Sequence, residues 1–240
     1  MEGQQLKYGV IKDGEFEERE LINITAKGFV GPMKGRANTY DGYVMKEINK
    51  SYGLLQCEGK VVLDIGANIG CFTKMALEKG AAHVISLEPE PNNYAMLDLN
   101  TAGHHDRVSL YNSALTSEHD GEMELWLSTT GKNPGNSSTT FRRGRSSTVI
   151  KAMSVETLIE KHPNMQVAKI DCEGAEYEFF DRLMSNTYLE QVALELHISG
   201  FGTAKAEDLH DFMISLGFEA IREPIIEDTL WQTLATYRRT

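Results

Sequence analysis

The stretch KVVLDIGANIGCFTKMALEKG (Lys60–Gly80) decides the fold. Its first part is a near-continuous apolar run with three β-branched residues, Val61, Val62 and Ile65, as in a strand buried on both faces. Its last part has helical length and stops at Gly80, a residue well suited to end a helix. Gly66 and Gly70 lie between them, so the chain reads strand, tight turn, helix. The alternation continues outward. Strand HVISLEP (83–89) precedes helix PNNYAMLDLN (91–100), with Pro91 in the first turn, where its missing N–H costs little. Strands VSLYNSAL (108–115) and GEMELWL (121–127) follow, then a polar loop and helix VETLIEKH (155–162). Next come strand VAKID (167–171), helix AEYEFFDRLM (175–184), strand QVALELH (191–197) and helix AEDLHDFMISLG (206–217). FEAIREP (218–224) and LWQTLATYR (230–238) read as a closing hairpin. Such alternation implies an α/β fold, a mostly parallel sheet with helices on both faces.

The pattern before Lys60 is different. Residues 1–55 read as an N-terminal extension packed on a main domain at 56–240. The extension holds the strand-like pieces YGVI (8–11) and ELINIT (20–25), a Gly-rich loop (27–38) and a helix over 40–53. Val44, Ile48 and Tyr52 share one face of that helix.

Composition bounds the function. The chain has 240 residues, 41% of them hydrophobic, enough for a core. No apolar run reaches the roughly 18 residues of a membrane span, and the N-terminus lacks an apolar signal core. The three cysteines show no metal spacing, which fits a reducing, cytoplasmic setting. A net charge of -11 repels polyanions, so nucleic acid is not an expected partner, and neither is a membrane.

In a parallel sheet of this kind, ligands bind beyond the carboxyl ends of the strands, where strand order reverses. Gly66 and Gly70 at the first strand end let the backbone approach a ligand closely. The spacing is not the G-x-G-x-x-G of dinucleotide binders: Asn68 takes the middle glycine position and Asp64 lies beside the turn. An acid there opposes a pyrophosphate and suits a ligand bearing positive charge and hydroxyls, such as S-adenosylmethionine. Glu88, 18 residues after Gly70 at the end of the second strand, can accept hydrogen bonds from both ribose hydroxyls.

Together, VLDIGANIGCFT, LEPEP and KIDCEGAE resemble the FkbM-like family of class I S-adenosylmethionine-dependent methyltransferases, over roughly residues 60–197. The resemblance implies a Rossmann-like seven-stranded sheet whose last strand is antiparallel. It implies S-adenosylmethionine as cofactor, with Asp64, Gly66, Asn68, Gly70 and Glu88 holding it. It also implies that Asn112, Ser113 and Ala114, after the third strand, flank the adenine.

The fourth and fifth strands end in charge. Strand residues two apart share a face, so Lys169, Asp171 and Glu173 line one side of one strand, and Glu195 and His197 one side of the next. Asp171, Glu173 and His197 are the catalytic candidates. One reading makes them orient or deprotonate a hydroxyl acceptor. Another uses the carboxylates to hold Mg²⁺. The sequence does not separate the two, and it assigns no residue as a metal ligand. Simpler roles compete. Lys169 can pair with Asp171, Glu176 can serve the dipole of the helix it opens, and Cys172 can fill core.

The loop STTGKNPGNSSTTFRRGRSST (128–148) is basic in an acidic chain. Arg142, Arg143 and Arg145 there are candidate substrate-binding residues for an anionic acceptor such as a sugar phosphate or nucleotide sugar, and the alternative is a solvated insertion. The expectation is O-methylation of a small, sugar-derived or otherwise hydroxylated acceptor. The rivals are N-methylation of a protein, peptide or RNA, a nicotinamide-dependent oxidoreductase, and a non-catalytic cofactor-binding protein.

Overall fold

The computed structural model describes residues 7–142 and 144–240. At the N-terminal end β1 (Gly9–Lys12) pairs with β2 (Glu15–Glu18), and β3 (Leu21–Ile24) with β4 (Met33–Arg36), both antiparallel. The glycine-rich loop expected over 27–38 thus contains a strand. Arg36 at its end is buried, with Nε 3.0 Å from Asp41 Oδ2 and an Nη2–H donated to Asn93 at 2.9 Å. Those bonds tie the start of α1 (Asp41–Tyr52) to the main sheet's helices.

The expected strands and helices then follow in order: β5 (Val61–Ile65), α2 (Cys71–Glu78), β6 (His83–Leu87), α3 (Pro91–Thr101) and β7 (Val108–Tyr111). After β8 (Ala114–Thr116) come β9 (Gly121–Trp126), β10 (Ser147–Ser154), α4 (Val155–Lys161), β11 (Val167–Ile170), α5 (Glu176–Ser185) and β12 (Gln191–His197). The chain closes with α6 (Thr203–Ser215), β13 (Phe218–Arg222) and β14 (Gln232–Arg239). The central sheet has seven strands in the order β13-β14-β12-β11-β5-β6-β7. The neighbours from β12 through β7 run parallel, while β14 runs antiparallel to both β12 and β13. Strand order reverses between β5 and β11, and the crevice opens there.

Two differences from the sequence reading have clear causes. VSLYNSAL is not one strand. Asn112 leaves the ladder to donate its side-chain amide to the carbonyls of Glu88 and Pro89, at 2.8 and 3.1 Å. The chain then enters a second sheet, ordered β8-β10-β9. Its middle strand, β10, begins inside the loop read as irregular, because Ser147 and Thr148 mask the start of an alternating strand paired to β9.

Alternation along β5 shows why it is central. Val62 packs with Met45, Ile48, Phe72 and Met75 on the α1–α3 face, and Leu63 and Ile65 pack with Phe179, Phe180 and Leu183 on the α4–α6 face. Burying one such side chain contributes roughly 1.5–3 kcal/mol, and β5 does so on both faces.

Gly66 closes the strand with φ +75°, and a Cβ built on it would sit 1.7 Å from the carbonyl oxygen of Asp171. Gly66→Ala is therefore expected to cost more than about 3 kcal/mol or to prevent folding. Gly59→Ala, at φ +68° with nothing within 4 Å, should cost only about 1 kcal/mol. Urea unfolding of the two variants reads the difference; equal costs would contradict the close approach of β5 and β11.

Candidate functional site

Beyond the carboxyl ends of β5, β6, β11 and β12 lies a cavity of about 410 Å³, within the range of small-molecule sites. Its floor is the glycine turn. The amides of Gly66 and Ala67 both donate to Leu87 O at 3.0 Å, and Asn68 turns through the left-handed region at φ +52°. Gly66 and Asn68 line the cavity. Gly70, also left-handed, instead presses on α3: a Cβ there would meet Leu97 Cδ1 at 2.8 Å.

Asp64 does not line the cavity. It is fully buried beneath the turn, accepting from Thr73 Oγ1 at 2.7 Å, with its other oxygen 3.2 Å from Lys169 Nζ. Lys169 also donates to the carbonyls of Ile65 and Gly66, at 3.2 and 2.5 Å, and lies 3.8 Å from Asp171 Oδ2. Burial alone would lower its pKa, but Asp64 and then Asp171 outweigh that and raise it, so it stays charged. The pairing with Asp171 read from sequence is thus the weaker of two contacts.

Glu88 reaches the cavity from the end of β6. Its two oxygens accept the backbone N–H of Asn68 at 2.7 Å and of Glu90 at 2.9 Å. Burial pushes its carboxyl up to about 7, against the pull of those two amides. Ser113 and Ala114 line the cavity as well. Asn112 does not; its side chain is spent on the Glu88 and Pro89 carbonyls just beyond β6. Among the described residues, Asn68 Oδ1 and Ser113 Oγ are buried without a hydrogen-bond partner. Both belong to cavity-lining residues, and a ligand carrying an amine and hydroxyls would partner them. The donor set at this end of the cavity fits S-adenosylmethionine.

The other end is acidic. Asp171, Glu173 and Glu195 line the cavity, with His197 fully buried behind them. Glu173 sits at φ +54°, uncommon for a non-glycine residue, and the following Gly174 at φ +97° completes the turn. Asp171 Oδ2 accepts from Tyr52 OH at 2.9 Å. His197 Nδ1 is 3.0 Å from Glu176 Oε1, and its Nε2 is 3.4 Å from Glu173 Oε2 and 4.0 Å from Glu195 Oε2. Burial works against charge on this imidazole, yet Glu173 and Glu176 lift it to about 11. Burial, then the facing Asp171, hold Glu195 well above the usual carboxylate range. Asp171 resists the same burial because Lys169 draws it down. Asp171 and Glu195 therefore titrate as a pair, Asp171 shifted down and Glu195 up.

Three roles differ from the sequence reading. Glu176 opens α5 but also holds His197 and Gly174 N–H, so it does more than serve a dipole. Cys172 packs against the core as expected, but it also lines the cavity and lies 3.5 Å from Glu176 Oε2. Tyr52 was legible only as one face of α1; nothing in the sequence aims it at a strand end more than a hundred residues away.

The polar loop covers the cavity, but among the described residues not with arginines. Asn133, Gly135, Ser137 and Thr139 line it, while Ser138 Oγ donates to Glu173 O at 2.6 Å and pins the loop down. Arg145 is tied to Asn136 O and Oδ1 at 2.6 and 2.7 Å, and Arg142 lies over the Trp126 ring, 5.9 Å from its centre. Neither is among the cavity-lining residues. Arg143 lies outside the described residues.

Sheet order, the antiparallel β14 and a cavity at the β5/β11 reversal define a class I methyltransferase fold. Residues 64–220 match the methyltransferase FkbM domain, and the chain belongs to that family of S-adenosylmethionine-dependent methyltransferases. No curated protein matches the chain. Among solved structures, it is similar to Trm5b from Pyrococcus abyssi at 14% identity and TM-score 0.52, over 93% of this chain and 57% of that one. It is also similar to a Streptococcus mutans protein described as "a putative sam-dependent methyltransferase", at 11% identity and TM-score 0.52, over 92% of this chain and 56% of that one. A third, a "putative RNA methyltransferase" from Pyrococcus horikoshii, has 16% identity and TM-score 0.45 over 83% and 84% of the two chains. At these identities the likeness is one of fold. No helix among the described residues is long and apolar enough to cross a membrane.

Lys169→Met would leave Asp64 buried without its cation. Urea unfolding should show a loss of about 3–5 kcal/mol, much of it recovered in the double variant with Asp64→Asn. A neutral Lys169→Met would mean that the ion pair does not hold the turn.

Proposed function

We propose that this methyltransferase acts on an oxygen of a small hydroxylated acceptor, of which a sugar is the best fit. The observation that carries the reading is the placement of Asp171, Glu173 and Glu195 on the wall of the same cavity as the glycine turn and Glu88. The main chain of Gly66–Asn68 would face the cofactor's amino-acid end, Glu88 its ribose hydroxyls, and Ser113 and Ala114 its adenine. Asp64, Gly70 and Asn112 would act from behind, by shaping the backbone that touches it.

The sulfonium of the bound cofactor supplies an activated methyl group. What remains for the protein is alignment, worth roughly 7–11 kcal/mol in favourable cases, and removal of the acceptor's proton, worth about 10²–10⁴ in rate. Asp171, ionised beside Lys169, and Glu173 would orient the hydroxyl and take its proton. His197 would position Glu173 from behind.

An RNA acceptor is the second reading, and what favours it is the basic character of the loop that roofs the cavity. Against it stand the acidic wall, the net charge of -11 and two arginines engaged elsewhere. Steeply salt-dependent acceptor binding would support it; salt-independent methylation of a neutral acceptor supports the hydroxyl reading.

Incubation with methyl-labelled cofactor and fractionated small hydroxylated metabolites is expected to place label on an alkali-stable ether. In the same assay Asp171→Asn should lower kcat by about 10²–10⁴ while S-adenosylhomocysteine affinity stays within a few-fold. Label appearing only on RNA or protein would overturn the acceptor assignment.

Glu88 gives a pH test of the cofactor end. Hydroxyl donors favour the ionised carboxylate, so binding selects that form, and affinity should rise with pH up to about 7 and level off above it. Between pH 8 and pH 6, S-adenosylhomocysteine affinity should fall by up to about tenfold. Glu88→Gln should weaken binding by roughly 1–3 kcal/mol and abolish that slope. Calorimetry showing the same slope in both proteins would remove Glu88 from the ribose role.

A further inference from the structure

We propose that Asp171, Glu173 and His197 bind a divalent first-row metal ion of the Mn²⁺ type, with Glu176 as the outer partner of the histidine. One donor atom from each of the three residues lies within 4.8 Å of the others. Around a cation with bonds of about 2.1 Å, adjacent donors stand about 3 Å apart and opposite donors about 4.2 Å, so the cluster needs only small side-chain shifts to close.

A group of acids alone would not make a metal site. The second observation is His197. It is completely buried, and its Nε2 has no hydrogen-bond partner among the described residues. That nitrogen points to the place where Glu173 Oε2 and Glu195 Oε2 stand, 3.4 and 4.0 Å away. The opposite ring nitrogen meets Glu176 Oε1 at 3.0 Å, and the same oxygen accepts the His197 backbone N–H at 2.9 Å. Glu176 Oε2 is occupied in turn by Gly174 N–H at 2.9 Å. A carboxylate held this firmly keeps a proton on Nδ1 and aims Nε2 at the cluster; a binding cation displaces the Nε2 proton to solvent, and the ring then ligates as neutral imidazole, the arrangement that supports metal-bound histidines.

Two of the three acids around the point are each pinned by one atom from outside. Tyr52 OH holds Asp171 Oδ2, and Gln232 Nε2 holds Glu195 Oε1 at 2.5 Å. Asp171, Glu173 and Glu195 all face the cavity, so a cation has an entry path and keeps open positions. A nitrogen ligand among carboxylates suits Mn²⁺ or Fe²⁺ better than Mg²⁺, which prefers oxygen and water alone. A cation here would bind the hydroxyls of an acceptor. That use rests on the methyl-transfer reading above, but the site itself does not.

The test uses the full chain, stripped with chelator and free of cofactor and acceptor. Mn²⁺ is titrated in while the electron paramagnetic resonance signal of free Mn²⁺ is followed. The expected result is saturation at one Mn²⁺ per chain, undisturbed by an equal concentration of Mg²⁺. Glu173→Gln, whose side chain is partly exposed, should weaken binding at least tenfold. Glu176→Gln should weaken it by about ten- to a hundredfold. Circular dichroism checks that each variant is folded, and Glu173→Gln decides if Glu176→Gln is not. A free Mn²⁺ signal as strong as in buffer alone, or Glu173→Gln binding as tightly as the parent, overturns the proposal. S-adenosylhomocysteine calorimetry on the same metal-free sample reads the cofactor site separately, so either reading can fail without the other.

Discussion

The ammonium of Lys169 is the fixed point of the structure. It sits buried where strand order reverses, in contact with Asp64, with the carbonyls of Ile65 and Gly66, and more distantly with Asp171. A buried cation is tolerated only with close partners, and every partner here is a strand-end group. The ammonium therefore sets the spacing of two strands and the shape of the glycine turn at once. It also keeps Asp171 ionised, and Tyr52 OH adds a hydrogen bond to the same carboxylate from α1. The cofactor-side floor and the acceptor-side wall of the cavity thus share one charge.

That dependence explains which parts were legible in the sequence. Local signals decided the central sheet: apolar runs of strand length, glycines after them, helices between them. They do not carry register. Asp64 and Lys169 stand directly opposite each other on β5 and β11, a pairing between residues about a hundred positions apart. Read alone, Asp64 looked like a turn residue facing a ligand, and Lys169 looked like a partner for its near neighbour Asp171. The same limit hid Tyr52 and the outer role of Glu176, which depends on how α5 meets the end of β12. Where the strand period was overridden by turn geometry, as at Glu173 with its left-handed backbone, the alternation rule placed the residue on the right side for the wrong reason.

The basic loop was misleading for a different reason. Charge in a sequence marks a residue as solvated or paired and says nothing of direction. The guanidinium of Arg145 satisfies loop carbonyls, and Arg142 covers an indole, so both stabilise the loop that roofs the cavity. The face turned inward is made of Asn133, Ser137 and Thr139, side chains that exchange hydrogen bonds with neutral hydroxyls and carry no charge to bind phosphate.

The proposed acceptor chemistry rests on the balance of charge in the cavity. The acidic wall gathers Asp171, Glu173 and Glu195, and the two buried cations near it, Lys169 and His197, are engaged by Asp64 and Glu176. An anionic acceptor entering there would lose hydration and meet carboxylates, a cost that rises steeply in a low-dielectric site. A hydroxyl group meets no such penalty, since it can donate to the carboxylates and accept from the loop. A cation meets the opposite balance: it offsets the repulsion by Asp171 that adds to burial in raising the Glu195 carboxyl. On the proposed reading the wall would favour hydroxyls and cations over phosphates, through the same carboxylates that Lys169, Tyr52 and Gln232 hold in place.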